Sequence, residues 1–231
     1  VLILRLAKKF KIDYYLVALF PFLYLCSYEI AHTVLSGMTE PFFNLILIIA
    51  FTFLVNRKWF WFAIVVGFCP FFRSEGQIVV LFGALILLRN KEWKQLLTLG
   101  IPFLLYAIIG FYAFEDFWWY FNQSPYHIGI DIYGAGTWSH YFLNARFYLT
   151  YFGYFIIILG FISGFYFLIK RQFDIFKSDY FIFGFLIFTG IFFAHVFFLA
   201  KVINASIGLL RLATQGLPLF LFVILFSLIF I

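Results

Sequence analysis

Eight apolar stretches, at residues 12–31, 38–55, 59–72, 77–88, 96–114, 147–169, 180–200 and 213–231, run through this chain. Short polar turns separate most of them, and one long loop, 115–145, lies between the fifth and the sixth. None repeats the ten-residue apolar/polar alternation of a membrane β-barrel strand. Helices are the other structure that satisfies every backbone donor and acceptor in lipid. Composition points the same way: 65% of the 231 residues are apolar and 11% are charged, whereas soluble domains are about half apolar and about a quarter charged. The expected class is all-α: a polytopic transmembrane helix bundle of about eight membrane segments, one short helical hairpin among them, forming a single domain over 1–231. Polar residues in or beside such segments are costly and invite a functional reading.

Other compositional signals are less specific. The 39 Phe accompany plentiful Ile, Tyr, Lys and Asn, a pattern of A/T-rich coding rather than of an aromatic binding surface. The net charge of +6 is scattered through short turns, which argues for membrane topology and against nucleic acid as a partner. Cys26 and Cys69 lie within or at the ends of apolar segments without metal-ligand spacing, and read as small buried hydrophobes. Gly160 and Gly164 form a GxxxG pair suited to helix packing. The chain opens at Val1 with apolar residues ahead of Arg5, Lys8, Lys9 and Lys11, the reverse of a signal peptide's order, and it stops inside an apolar run. It is expected to be a fragment of a longer polytopic protein.

Charge sets an orientation. With Arg5–Lys11 in the cytoplasm and one crossing per stretch, twelve Lys/Arg fall inside; Arg73, Arg146, Lys201 and Arg211 fall outside, as the positive-inside rule asks. Merging 59–88 into one helix gives nine against six, with Arg73 stranded in hydrocarbon. The separate stretches 59–72 and 77–88 would be about 21 and 18 Å long, short of the roughly 30 Å hydrocarbon core. Their connecting tip, Arg73-Ser74-Glu75-Gly76, is therefore expected below the outer surface, between Pro70 and the helix opened by Gly76.

Three outward features gather polar side chains. The turn 32–41 carries Glu40 beside Pro41, with Thr39 as a helix cap; Glu40 reads either as a solvated carboxylate or as part of a site. The tip Phe72–Gly76 reads equally as an anion site, where a guanidinium and helix-start amides meet phosphate, or as a local Arg–Glu pair that lets the hairpin turn. The loop 115–145 holds Glu115, Asp116, Trp118, Trp119, His127, Asp131, Trp138 and His140. Its aromatics suit an interfacial belt or a sugar, and its histidines lack metal spacing. Beyond it, Arg211 reads as a second phosphate contact or as a snorkelling interfacial residue.

The order of these motifs resembles a known family. Thr39-Glu40-Pro41 opens a span, the basic turn Asn56-Arg57-Lys58 follows, and then comes Phe72-Arg73-Ser74-Glu75-Gly76, where relatives commonly read Thr-Arg-Pro-Glu-Gly. Tyr133–Tyr141 and Gly208-Leu209-Leu210-Arg211 complete the series. From about residue 14 to 231 the chain resembles the polytopic GT-C glycosyltransferases, especially bacterial relatives of the dolichyl-phosphate-mannose-dependent mannosyltransferases. The motifs are short, and their order carries the likeness.

The resemblance implies a multi-pass protein of the bacterial inner (plasma) membrane. Its site would face outward and move a sugar, such as mannose, from a polyprenyl-phosphate donor to a glycan, lipid or protein acceptor with inversion. A carboxylate would serve as base, and cations would meet the leaving phosphate. Ser74 departs from the family's Pro, and the loop that carries the base in the family would lie upstream of Val1. The residues carried over as donor-phosphate or pocket candidates are Arg73, Glu75, Glu40, Arg211, His140 and Asp131. No resident metal is assigned, and assistance by a divalent cation stays open. The competing reading is a transporter or flippase for a lipid-linked or small polar substrate, which calls for broken helices in paired halves; a membrane scaffold ranks behind both.

Overall fold

The computed structural model describes residues 28–122, 137–144, 155, 158, 162, 179–201 and 215–220. Among them all regular structure is helical, in keeping with the all-α class. The helices are α1 (Tyr28–Leu35), α2 (Thr39–Val55), α3 (Trp59–Phe72), α4 (Gly76–Arg89), α5 (Trp93–Thr98), α6 (Ile101–Phe114), α7 (Trp119–Asn122), α8 (His140–Leu143), α9 (Asp179–Phe181) and α10 (Ile187–Lys201). A π-helical turn, Ile182–Leu186, joins α9 to α10, and residues 217–220 are helical.

The expected stretches 38–55, 59–72 and 77–88 correspond to α2, α3 and α4 almost residue for residue. The stretch 96–114 is longer and divided. Pro102 occupies the first turn of α6, where its missing N–H costs nothing, and Leu99-Gly100 separates α5 from α6. The whole run Trp93–Phe114 spans 22 residues and, among the described residues, is the one helix long and apolar enough to cross a membrane. Thr39–Val55, Trp59–Phe72, Gly76–Arg89 and Ile182–Phe197 are apolar but shorter. The stretches 12–31, 147–169 and 213–231 lie mostly outside the described residues, so the count of eight is not fixed by this architecture.

Glycines set how closely the helices approach. A Cβ on Gly76 would lie 2.2–2.4 Å from backbone atoms of Cys69 and Pro70. A Cβ on Gly83 would meet Val66 Cγ1 at 2.6 Å. At these two positions α4 lies close against α3, the approach that small residues permit. The core behind them is formed by Phe43, Leu47, Phe51 and Leu54 of α2, Phe62 and Val66 of α3, Val79 and Ile86 of α4, and Phe183, Phe188 and Ile191. α6 behaves differently: Leu104, Leu105, Ile108, Ile109 and Tyr112 are exposed.

Two ends follow from this packing. Arg57, Lys58, Arg89, Lys91 and Lys94 gather at the end where α3 starts and α4 stops, and Asp179 joins them through a 2.8 Å hydrogen bond from Asn90. Glu40, Arg73 and Glu75 lie at the opposite end, where His195 of α10 reaches Glu75. Sixteen residues separate Asp179 from His195, about 24 Å of helix. α3 and α4 are thus antiparallel partners, and a single merged 59–88 helix is excluded.

Candidate functional site

The site grows from the tip between α3 and α4. Pro70 removes one donor from the last turn of α3; the helix runs on to Phe72, closed by the Arg73 amide on Cys69 O at 3.1 Å, and Arg73 itself is in extended conformation. Its guanidinium turns back over the helix ends and is clamped from two sides. Nε donates to Glu75 Oε2 at 3.3 Å and Nη2 to Glu75 Oε1 at 3.2 Å, the two-point geometry that suits guanidinium and carboxylate. Nη1 lies 3.0 Å from Glu40 Oε1 and donates to Thr39 Oγ1 at 2.8 Å. Arg73 is 13% exposed, Glu40 2% and Glu75 9%.

Glu75 is the hub. Beyond Arg73 it accepts hydrogen bonds from Ser74 Oγ at 3.1 Å and from Gln215 Nε2 at 3.0 Å. His195 Nε2 lies 3.1 Å from its Oε1, close in charge terms but off the line of a hydrogen bond. Burial by itself would push the Glu75 carboxyl up; the His195 imidazole and the Arg73 guanidinium outweigh it and hold Glu75 well below the usual carboxylate range.

Gln215 is placed by its neighbour. The Gly216 amide donates to Asn44 Oδ1 of α2 at 2.8 Å. Gly216 has φ +74°, with Phe188 Cα 3.4 Å from where a Cβ would stand, so the left-handed turn before 217–220 falls to glycine. Gln215 Oε1 and His195 Nε2 are buried without hydrogen-bond partners among the described residues. His195 lies six residues before Lys201, the end of α10, which sets the tip about 9 Å below that helix end.

The long loop reaches the same end through its described parts. Tyr120 Oη donates to Pro70 O at 3.0 Å, and Trp119 Nε1 donates to Tyr106 O at 3.0 Å. Phe71, Tyr106 and Trp119 stack in a column, with ring centroids 3.9 and 5.2 Å apart. The buried Tyr141 sets its ring 6.4 Å from that of His195.

Of the six candidates, Arg73, Glu75 and Glu40 meet in one cluster. His140 stands one residue from Tyr141, with its ring nitrogen 3.5 Å from Asn144 Nδ2. Asp131 and Arg211 lie outside the described residues. Glu40, open between a solvated carboxylate and part of a site, is buried beside the Arg73 guanidinium. One expectation needs correction. Thr39 is not the cap: Met38 takes that position without a side-chain bond, and the Thr39 hydroxyl accepts from Arg73 instead.

His195, Asn44 and Gln215 were missed. Each is a polar residue inside a stretch read as uniformly apolar, and that isolation was the available signal. Among the described residues no group of three or more His, Cys, Asp or Glu is placed to hold a metal ion. No protein-family model, curated protein or solved structure matches this chain, so the site is read from its own chemistry.

Proposed function

We propose that this chain is the membrane domain of a glycosyltransferase. In this reading a polyprenyl-phosphate sugar gives up its sugar at the Glu40–Arg73–Glu75–His195 end. One observation carries the proposal: two carboxylates, a guanidinium and an imidazole are buried together at one end of an otherwise apolar helical bundle, opposite the basic turns. Such a cluster is costly to bury, and its position matches the extracytoplasmic face that the charge bias assigns. The ordered motifs through Arg73, Glu75 and Glu40 supply the resemblance to GT-C enzymes.

The geometry refines the roles. Arg73 directs its charge at Glu40 and Glu75, so it acts as a positioning residue that fixes both carboxylates. Glu75, ionised and held by Arg73, positions Gln215 and His195, whose Oε1 and Nε2 have no hydrogen-bond partner among the described residues and are suited to sugar hydroxyls. Arg211, four positions before Gln215 in sequence, is the cation proposed for the leaving phosphate. A transporter or flippase would use the same polar end, and the test separates the two. Protein in vesicles is given a radiolabelled polyprenyl-phosphate sugar, and both donor binding and release of the sugar to acceptor are followed. Donor binding that falls tenfold or more in Glu75→Gln, with sugar transfer in the parent, supports the proposal. Binding unaffected by Glu75→Gln, or movement of intact donor without transfer, overturns it.

A further inference from the structure

Two turns at the basic end are copies of one another. Asn56 caps the end of helix α2, Arg57 and Lys58 follow, and Trp59 opens α3; Asn90 caps the end of helix α4, Lys91 and Glu92 follow, and Trp93 opens α5. Asn56 Nδ2 donates to Thr52 O at 2.8 Å, and Asn90 Nδ2 to Ile86 O at 2.9 Å. The amides of Arg57 and Lys58 bond back to Leu54 O and Phe53 O; those of Lys91 and Glu92 bond back to Leu88 O and Leu87 O. This is the Schellman closure of a helix. Its left-handed residue is Arg57 in one turn, at φ 52°, and Lys91 in the other, at φ 59°.

That position ordinarily falls to glycine, and at the opposite end of the molecule it does: Gly37, at φ +66°, closes α1 with the same bonds. Where a charged residue takes the left-handed place at that opposite end, it is Glu115, at φ 55°. A helix C-terminus attracts cations, so the helix dipole does not explain Glu115. The sign follows the end of the molecule instead. Backbone strain tolerated twice for a cation indicates that the charge is used.

Arg57, Lys58, Lys91 and Lys94 are exposed and make no ion pair among the described residues, whereas Arg89 lies 3.8 Å from Asp179. Trp61 and Trp93 are half exposed beside them, an arrangement of rings and cations that suits the headgroup layer. We propose that the paired turns 56–59 and 90–93 form a binding surface for the phosphate headgroups of anionic lipids. The inference rests on the membrane reading above and extends it to a site at the other end of the protein.

The test uses Arg57→Gly/Lys91→Gly, which removes two cations while relieving the left-handed strain, so folding is preserved. The full chain is reconstituted in phosphatidylcholine vesicles with and without phosphatidylglycerol, and lipid selectivity is measured with spin-labelled headgroups. Parent protein is expected to prefer phosphatidylglycerol, with the preference falling about fivefold per cation removed. Arg57→Lys/Lys91→Arg should retain it. Inorganic phosphate at matched ionic strength should not compete; if it abolishes the preference, the site takes free phosphate and the lipid proposal fails. Equal selectivity in parent and glycine variant also overturns it while leaving the membrane reading intact. Failure of the parent to insert into either vesicle overturns both.

Discussion

Replacing Arg73 with methionine tests the clamp directly. The side chain keeps its bulk and loses its charge, which leaves Glu40 and Glu75 facing each other across a buried gap. Removing one partner of a buried ion pair costs about 3–5 kcal/mol, because the remaining charge stays desolvated. Glu75 keeps Gln215 and His195, and Glu40, 2% exposed on α2, loses the guanidinium 3.0 Å from its Oε1. Arg73→Met is therefore expected to destabilise by about 3–5 kcal/mol. Arg73→Lys keeps the charge but cannot span both carboxylates with a planar fork, and should lose about 1.5–3 kcal/mol. The decisive variant is Arg73→Met with Glu40→Gln, which removes one of the two buried carboxylate charges and should recover most of the loss. Reversible unfolding in mixed micelles of rising dodecyl sulfate content measures all three. If Arg73→Met lies within about 1 kcal/mol of the parent, or if Glu40→Gln recovers nothing, the guanidinium is not a structural clamp and its charge must be held for a ligand.

Three further outcomes follow from the packing and from charge. Gly76→Ala drives a methyl against the Cys69 and Pro70 backbone; neither can rotate away, so α3 and α4 must part, with a loss of about 3 kcal/mol by the same assay. Gly110→Ala would place Cβ 1.6 Å from Trp119 Cδ1, expelling the indole from its stack on Tyr106, and a red-shifted tryptophan emission should report it. Glu75 has a depressed carboxyl in the folded state, so its stabilisation is complete above the ordinary Glu value near ~4.3 and is lost as pH falls from there toward the lower folded value. The acid limb should steepen by at most about 1.4 kcal/mol per pH unit and flatten in Glu75→Gln.

The legible parts of this fold are those set by one strong local rule. α2, α3 and α4 are apolar runs bounded by charged turns, and a lone polar residue such as Asn44 in α2 does not interrupt them; their limits could be read to within a residue. The tip Arg73–Gly76 was legible because Arg, Glu and Gly interrupt a run that Pro70 had already weakened. Its partners were not. His195 and Asn44 sit alone in apolar sequence, and nothing local says that His195 would meet Glu75, 120 positions away, or Asn44 the Gly216 amide, 172 positions away; helix packing decides that. Thr39 carried every local mark of a cap, yet the long-range demand of Arg73 for an acceptor took its hydroxyl. The repeated Asn–basic–X–Trp turn was present in plain letters, but its meaning depends on φ at Arg57 and Lys91, which sequence does not display. The π-helical turn Ile182–Leu186 has no sequence signal that we can identify.

Salt separates the two charged ends, because they differ in burial rather than in charge alone. The Arg73 clamp is closed off by Thr39, Gln215 and the helix ends, and its partners lie within 3.0–3.3 Å. Ions cannot enter between groups so close, and raising salt to about 1 M, where the Debye length is roughly 3 Å, should change the Arg73→Met penalty by less than about 0.5 kcal/mol. Arg57, Lys58, Lys91 and Lys94 are exposed, and their attraction for a headgroup layer crosses water. The same salt should remove most of the phosphatidylglycerol preference. A clamp penalty that falls with salt in step with lipid selectivity would mean that Arg73 is open to solvent, and the argument that its charge serves Glu40 and Glu75 would fail.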